Sequence, residues 1–450
     1  MSIFTQTTSP EFAKQSVSEF FVEPMFMAED IRGAVTVRTD IKGTEKLNRI
    51  SRPSMITKPK VAAGFNPTGT FNLTYQNITV KPMAIEFEQN GREFWGAIVA
   101  QLLASGYKED DVEQMKSPDI WNKIMLPIIA QAGQKDLVRQ MFFADPYHEN
   151  IVSTKPNGII DDNYSGYTGF MTHLIRDVAN ATIPASQHVK IQSSTTPVKK
   201  EQIITYTAGT DTKIGVTING VLYEQAYATS ATVTAANWLN THKANIENRA
   251  GINGVVVTNP SGAQIKVVSK FAGQDFTLTY AVTGNGTFAS SGLINPVKAA
   301  GLAQDEADLT LELMIDNMLP ELSEFNPVFM LTRSMFRNLV HTFKQRGTDF
   351  ADTVLLNGIK VPSYEGIPLI VRPDWDIWIA SSYNGILPHR AILTTQKNLL
   401  FATDGTNDSE MIETWYNPDI QSRRYRVQYK AQTAYLHKEL LVLAGFGDYS

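Results

Sequence analysis

Two stretches of the chain alternate hydrophobic and polar residues with period two, VTVRTDIKGTEKL over 35–47 and TFNLTYQNITVKPMAIEFE over 70–88. That alternation predicts strands, and together they read as a long two-stranded arm over 35–85. Between them NRISRPSMITKPKVAAGFNPTG carries Pro53, Pro59 and Pro67 and little material for a core, so it reads as an extended tip. The period then changes. In REFWGAIVAQLLASG, Phe94, Ile98, Gln101, Leu102 and Ser105 follow helical spacing and Gly106 offers a stop. A second helix is predicted over 117–143, with Ser117 as N-cap and Pro118 at the first helical position. Its apolar stripe is Trp121, Met125, Ile128, Ile129 and Ala132, and Pro127 inside it predicts a kink.

GFMTHLIRDVAN reads as a third helix, after which Thr, Ser, Ala, Gly and Val dominate from Ile191 to Pro296. KIGVTING, VVVTNPSG, QIKVVSKF and DFTLTYAVTGNGTF are short strands between turns, with one helix in ANWLNTHKANIENRAG. This is the pattern of an inserted β-rich module, flanked by the linkers SSTTPVKK and SSGLINPVKAAG. Beyond it, Leu309, Leu311, Leu313, Met314, Met318 and Leu319 predict a buried helix after an acidic first turn at Asp305, Glu306 and Asp308. VFMLT is a strand, and RSMFRNLVHTFKQRG a helix with Phe336, Leu339, Val340 and Phe343 on one face. VLLNGIKVPSYEGIPLIVRPDWD alternates strands with turns at Gly358 and Gly366, and RRYRVQYKAQTAYLHKELLVLAGFG reads as a terminal strand pair.

At 450 residues and 43% hydrophobic the chain can fill two or three folded units. Its net charge of -5 excludes a global basic field for phosphate, leaving only local and weak contact with nucleic acid. The absence of cysteine excludes disulfides, thiolate metal sites and a cysteine nucleophile. The polar N-terminal stretch does not read as a secretory signal, and no apolar run reaches the roughly 20 residues of a membrane span.

The candidate chemistry is sparse. His148, His173, His188, His242, His341, His389 and His437 hold no pair at zinc-protease spacing, and no cofactor or metal site is legible. GYTGF lacks the lysine of a phosphate loop, and there is no GxSxG elbow. Asp305, Glu306 and Asp308 fit a favourable helix start better than a catalytic pair. The cluster Arg423, Arg424 and Arg426 with Tyr425 and Tyr429 fits nucleic-acid stacking, but an alternating strand divides it between two faces, which favours salt bridges within or between subunits.

The order of segments is more informative than any one of them: polar arm, basic hairpin, long helix ending in DLVRQMFFAD, insertion, LPELSEFNPVFMLTRSMFRNL, NGIKVPSYEGIPLIV and final strands. It resembles the major capsid proteins of tailed DNA phages with the Hong Kong 97 type fold, and its texture is similar to those of crAss-like phages. The strongest matches are FNPVFMLTRSMFRNL and YEGIPLIVRPD. The resemblance implies an α+β fold: an N-terminal arm (1–34), an E-loop hairpin (35–85), a P-domain with its spine helix (86–190), the inserted domain (191–296), a P-domain continuation (297–353), an A-domain (354–410) and C-terminal strands returning to the P-domain (411–450). It implies a non-enzymatic shell protein of the virion, assembled in the bacterial cytoplasm into hexamers and pentamers. Its further partners would be portal and decoration proteins and loosely held DNA. Lys42, Lys46, Arg49, Arg52, Lys58, Lys60, Arg423 and Arg424 are the expected intersubunit contacts. Two rival readings are another virion part, of tail or baseplate, and a carbohydrate-active enzyme with Trp375 and Trp378 as its sugar platform.

Overall fold

The computed structural model describes residues 35–39, 41, 43–50, 73–90, 126–152, 155–248, 254–347, 353–356, 359–404, 412–417, 419–420, 422–447 and 449. The helix expected over 92–106 and the first turns of that expected over 117–143 lie outside them. The chain divides into two compact units, one of Met1–Met141 with Asn398–Leu436, the other of Phe142–Lys397 with His437–Ser450.

The first unit is organised by one long strand, β22 (Ser422–Tyr435). Along SRRYRVQYKAQTAY the odd positions Tyr425, Val427, Ala431 and Thr433 are buried and Arg424, Arg426 and Gln428 are not, as a strand with one covered face requires. One edge of β22 pairs antiparallel with β20 (Leu399–Thr403) and β21 (Ile412–Asn417), the other with β4 (Lys81–Asn90). β1 (Thr36–Arg38) lies parallel to β20. Pro82 is accommodated because β4 is an edge strand and needs to bond on one side only. β2 (Thr44–Ile50) and β3 (Leu73–Thr79) form a separate antiparallel hairpin in register from Thr44 opposite Thr79 to Ile50 opposite Leu73. The arm is therefore shorter than its alternation predicts, since both outer parts of the two segments join the five-stranded sheet. Burial decides this: Ile41, Leu47, Ile78 and Val80 pack with Leu400, Ala402 and Ala434.

Helix α1 is Leu126–Phe143; the residues before Leu126, on which the kink expected at Pro127 turns, lie outside the described ones. The buried face runs through Leu137, Val138 and Met141, whereas Ala132 is exposed, a correction to the predicted stripe.

The second unit holds a seven-stranded sheet ordered β16, β17, β18, β15, β19, β23, β7. These strands are β7 (His188–Val189), β15 (Pro327–Thr332), β16 (Thr353–Leu356), β17 (Ile359–Tyr364), β18 (Ile367–Arg372), β19 (Ala391–Thr395) and β23 (Leu441–Ala444). PVFMLT is buried along β15 because it lies between β18 and β19. The terminal strands are not a pair: β22 belongs to the first unit's sheet and β23 joins β19 and β7. The short 3-10 turn Lys438–Leu440 separates them, and alternation alone carries no information on partners. The small hairpin of β5 (Glu149–Val152) and β6 (Lys155–Ile160) and helix α2 (Phe170–Ala179) precede this sheet in sequence.

Between β7 and β15 lies the β-rich module. β8 (Glu201–Thr207), β11 (Val255–Thr258), β12 (Gln264–Ser269) and β14 (Thr287–Ile294) make one sheet; β9 (Lys213–Ile218), β10 (Val221–Ala226) and β13 (Leu278–Thr283) make another. With helix α3 (Ala231–Glu247) they enclose a core of Ile204, Tyr206, Ile214, Val216, Trp238, Ile265 and Phe276, among others. Ser230 caps α3 by accepting from the Val233 N–H. Asn219 and Gly220 both have positive φ, 49° and 79°, the two-residue turn that matches the twist of a hairpin. The two connections to the module run antiparallel, bridged at Ser193 with Leu302 and Val198 with Val297. SSGLI, read as linker, is the end of β14.

Helices α4 (Glu306–Asp316), α5 (Pro320–Ser323), α6 (Arg333–Gln345) and α7 (Pro373–Ser382) complete the unit. Asp376 in α7 caps α6, accepting from the Arg333 and Ser334 N–H groups at 2.7 and 3.2 Å. In α4 only Leu311 and Met314 of the predicted stripe are fully buried; Leu309 and Leu313 are about half exposed, at 50% and 48%. The covered face runs through Ala307, Leu311 and Met314, and the outward face carries the two further leucines.

Candidate assembly surfaces

On the outer face of the first unit, β4 and β22 set acids against bases. Glu88 stands opposite Arg424 and Glu86 opposite Arg426, and both pairs close, at 2.9 Å and 2.6 Å. The period-two geometry does this: EFE on one strand and RYR on its partner put like residues on one face and leave Phe87 and Tyr425 to stack on the other, ring centres 4.6 Å apart. Ser422 Oγ also donates to Glu88, and that bond, with the Arg424 guanidinium, holds the Glu88 carboxyl below the usual carboxylate range. Arg426 further lies over the Trp415 ring at 5.6 Å. These residues line a shallow groove of about 370 Å³. Glu86 and Glu88 were not singled out from sequence; the signal was there in EFE, an acidic alternation matching the basic alternation of RRYR.

Of the expected contact residues, Arg424 is thus engaged within its own chain. Arg423 lies on β22 opposite Gln89, and Arg49 on β2 opposite Thr74. Lys46 is exposed on β2 with its ammonium 4.8 Å from the centre of the Tyr75 ring. Lys42, Arg52, Lys58 and Lys60 lie outside the described residues. The one acidic residue within 41–60, Glu45, is paired with Arg38 at 2.6 Å. The described part of the hairpin is a two-stranded ribbon that pairs with no third strand among the described residues.

In the second unit the sugar-platform reading fails. Trp375 is fully buried against Phe142 and Phe143, ring centres at 5.0 and 6.4 Å, and Trp378 is 6% exposed. Beside them sits a buried polar knot. Arg390 is fully buried and donates to the Leu387 and Ile386 carbonyls, with its guanidinium facing the Phe143, Tyr383 and Phe446 rings. Tyr383 donates to the Phe143 carbonyl at 2.6 Å. Burial pushes the Asp145 carboxyl up to about 7 and the neighbouring His148 down to about 4. These groups are bound to backbone and rings, which suits a rigid core. The acidic helix start is likewise structural: Glu306 accepts from the Gln192 N–H, and Asp308 accepts from Tyr364 and pairs with Arg346 at 2.7 Å. Among the described residues no group of acidic and histidine side chains could hold a metal ion, and no helix is long and apolar enough to cross a membrane.

No family model matches the chain, and no curated protein matches it. Solved structures that it is similar to include the capsid asymmetric unit of cyanophage A-1(L), at 10% identity and a TM-score of 0.40, covering 95% of this chain and 92% of that one. The procapsid of satellite phage P4 with its size determination protein is similar at 9% identity and a TM-score of 0.39, covering 94% and 98%. The SrpI encapsulin complex of Synechococcus elongatus is similar at 9% and 0.37, covering 92% and 87%.

Proposed function

We propose that this chain is the major capsid protein of a tailed DNA phage, a Hong Kong 97 type subunit that closes with copies of itself into an icosahedral shell around the genome. The observation that carries the reading is the β2–β3 hairpin. A two-stranded ribbon is marginal in water; Leu47 and Ile78 anchor one side of this one on its own chain's core, whereas Lys46 and Tyr75 are exposed and the sequence that follows β2 is basic and proline-containing. The exposed side is the part that gains from a surface supplied by a neighbour. The order of the elements supports the same reading: hairpin, long helix, β-rich insertion, buried sheet with flanking helices, and a last long strand that returns to the sheet beside the hairpin. The role is structural rather than catalytic, the location is the virion, and the partners are further copies of the chain, a portal, decoration proteins and weakly held DNA. In this reading 35–85 is the E-loop, 191–296 the inserted domain and 354–410 the A-domain.

The test is sedimentation of the purified chain with and without a double charge reversal, Lys46→Glu with Arg49→Glu. The unaltered chain sediments as megadalton particles and the variant as folded small species. Particles that form equally well from the variant would remove the hairpin from the assembly; a chain that never leaves the monomer would remove the shell.

A further inference from the structure

Helix α6 has two faces of opposite character. Met335, Leu339 and Thr342 are buried, whereas Arg333, Arg337, His341 and Lys344 are exposed and follow one another at helical spacing along a single stripe. No arginine or lysine of that stripe forms an ion pair among the described residues. Phe336, Val340 and Phe343, only partly covered, flank it on one side. Helix α4 and the turn after it carry the opposite charge. Between Lys298 and Arg333 there are seven acidic residues and no lysine or arginine. Glu306 and Asp308 are buried and committed to Gln192, Tyr364 and Arg346. Glu312, Asp316, Glu321 and Glu324 are exposed, and none forms an ion pair among the described residues. On α4, Leu309, Glu312, Leu313 and Asp316 share the outward face, and the exposed Leu319 and Phe325 stand beside the two later acids.

The two helices touch within one chain, where the Ala307 N–H donates to Asn338 Oδ1 at 3.1 Å and Asp308 pairs with Arg346 at 2.7 Å. Their outward stripes form no ion pair with each other among the described residues. Each stripe sets apolar surface beside charge of one sign, which is the composition of a face that buries area against a partner of the opposite sign. Their lengths also agree. At about 1.5 Å per residue, 333–344 runs about 16 Å and 309–316 about 10 Å, and Glu321 and Glu324 extend the acidic side. We propose that the outward face of α4–α5 packs against α6 of a second copy of this chain, the carboxylates of one copy against the arginines and lysine of the other. Having both signs on adjacent helices selects this occupant. A polyanion drawn to α6 meets the carboxylates of α4, and a polycation drawn to α4 meets the stripe of α6, whereas a second copy brings both signs in matching form. The inference rests on the shell reading above and adds an interface to it, one in which neither the hairpin nor the arginines of β22 take part.

The experiment is complementation between two full-length variants. One reverses the acidic stripe, Glu312→Lys with Asp316→Lys and Glu321→Lys; the other reverses the basic stripe, Arg337→Glu with His341→Glu and Lys344→Glu. Every side chain changed is exposed, so both variants keep the fold, and circular dichroism checks that they do. Sedimentation then reads the assembled fraction. Each variant alone meets like charge at the contact, and its assembled fraction falls about tenfold or more. Mixed in equal parts, the two recover assembly, because each supplies the sign that the other now lacks. A chain carrying both sets of reversals recovers it as well, since its stripes are again opposite in sign. Undiminished assembly of either variant alone overturns the interface and leaves the shell reading intact. A mixture that assembles no better than its parts, or a doubly reversed chain that folds and stays unassembled, overturns it too. Failure of the unaltered chain to assemble overturns the shell reading together with the interface.

Discussion

Replacing Trp238 by alanine tests whether the β-rich module opens as a unit of its own. Trp238 is fully buried at the centre of the module's core, with Tyr223 at 6.4 Å and His242 at 5.7 Å between ring centres, and its indole N–H donates to the Tyr223 carbonyl at 3.0 Å. Truncating a buried tryptophan costs about 3–5 kcal/mol in transfer and cavity terms, and the lost hydrogen bond about 1 kcal/mol more. Against the 5–15 kcal/mol that holds a typical domain together, a loss of about 4–6 kcal/mol removes most of the module's stability. The module's core draws on residues 204–288 alone. Its two connections are tied to each other by the bridges at Ser193 and Val198. The penalty therefore stays inside it. Hydrogen exchange read by mass spectrometry reports this directly: amides of β9, β10, β12 and α3 lose protection by about a thousandfold, at about 1.4 kcal/mol per tenfold, while β15, β19 and β23 keep theirs. Equal loss in those three strands would show instead that the whole unit opens as one.

Trp375→Ala should give the reverse pattern, exposing β15 and β19 while β9 and β12 stay protected, since its packing is with Phe142 and Phe143; the same exchange experiment checks it. Gly220→Ala, at φ 79°, places a side chain in the left-handed region and should cost about 1 kcal/mol, read from denaturant midpoints. Asp145 and His148 pull stability in opposite directions with pH. The raised carboxyl, held at about 7, contributes most below its ordinary range near pH 4, and that contribution is lost as pH climbs to about 7. The lowered imidazole, held at about 4, contributes fully above pH 6.5 and is lost as pH falls towards 4. Asp145→Asn removes the first effect. The variant should gain on the order of 4 kcal/mol above pH 7 and become steadily less stable from pH 6.5 down to 4 where the unaltered chain is nearly level; parallel profiles in denaturant titrations would count against it.

What the sequence makes legible is local. Asn219-Gly220 between two alternating runs announces its hairpin, PVFMLT its buried strand, and the Thr- and Val-rich texture after Ile191 its change of architecture. Partner choice is not local. VTVRT and KPMAIEFE alternate just as the hairpin strands do, yet β1 and β4 belong to a sheet whose organiser, β22, lies more than three hundred residues further on. The parallel pairing of β15 with β18 leaves no mark in either segment, and it places 327–332 and 367–372, expected in different domains, side by side. Leu309 and Leu313 read as core because hydrophobicity alone does not tell a covered face from one that a partner would cover. The candidate surfaces divide in the same way. The basic hairpin is visible as composition, whereas the Glu86–Arg426 and Glu88–Arg424 ladder required knowledge of which strands are neighbours.

Electron microscopy of the purified protein, alone and with its neighbouring gene products, shows whether copies of this chain close into a shell. A capsid subunit gives closed polyhedral particles built of hexamers and pentamers of this chain; open tubes, single rings or persistent monomers in every combination exclude that shell.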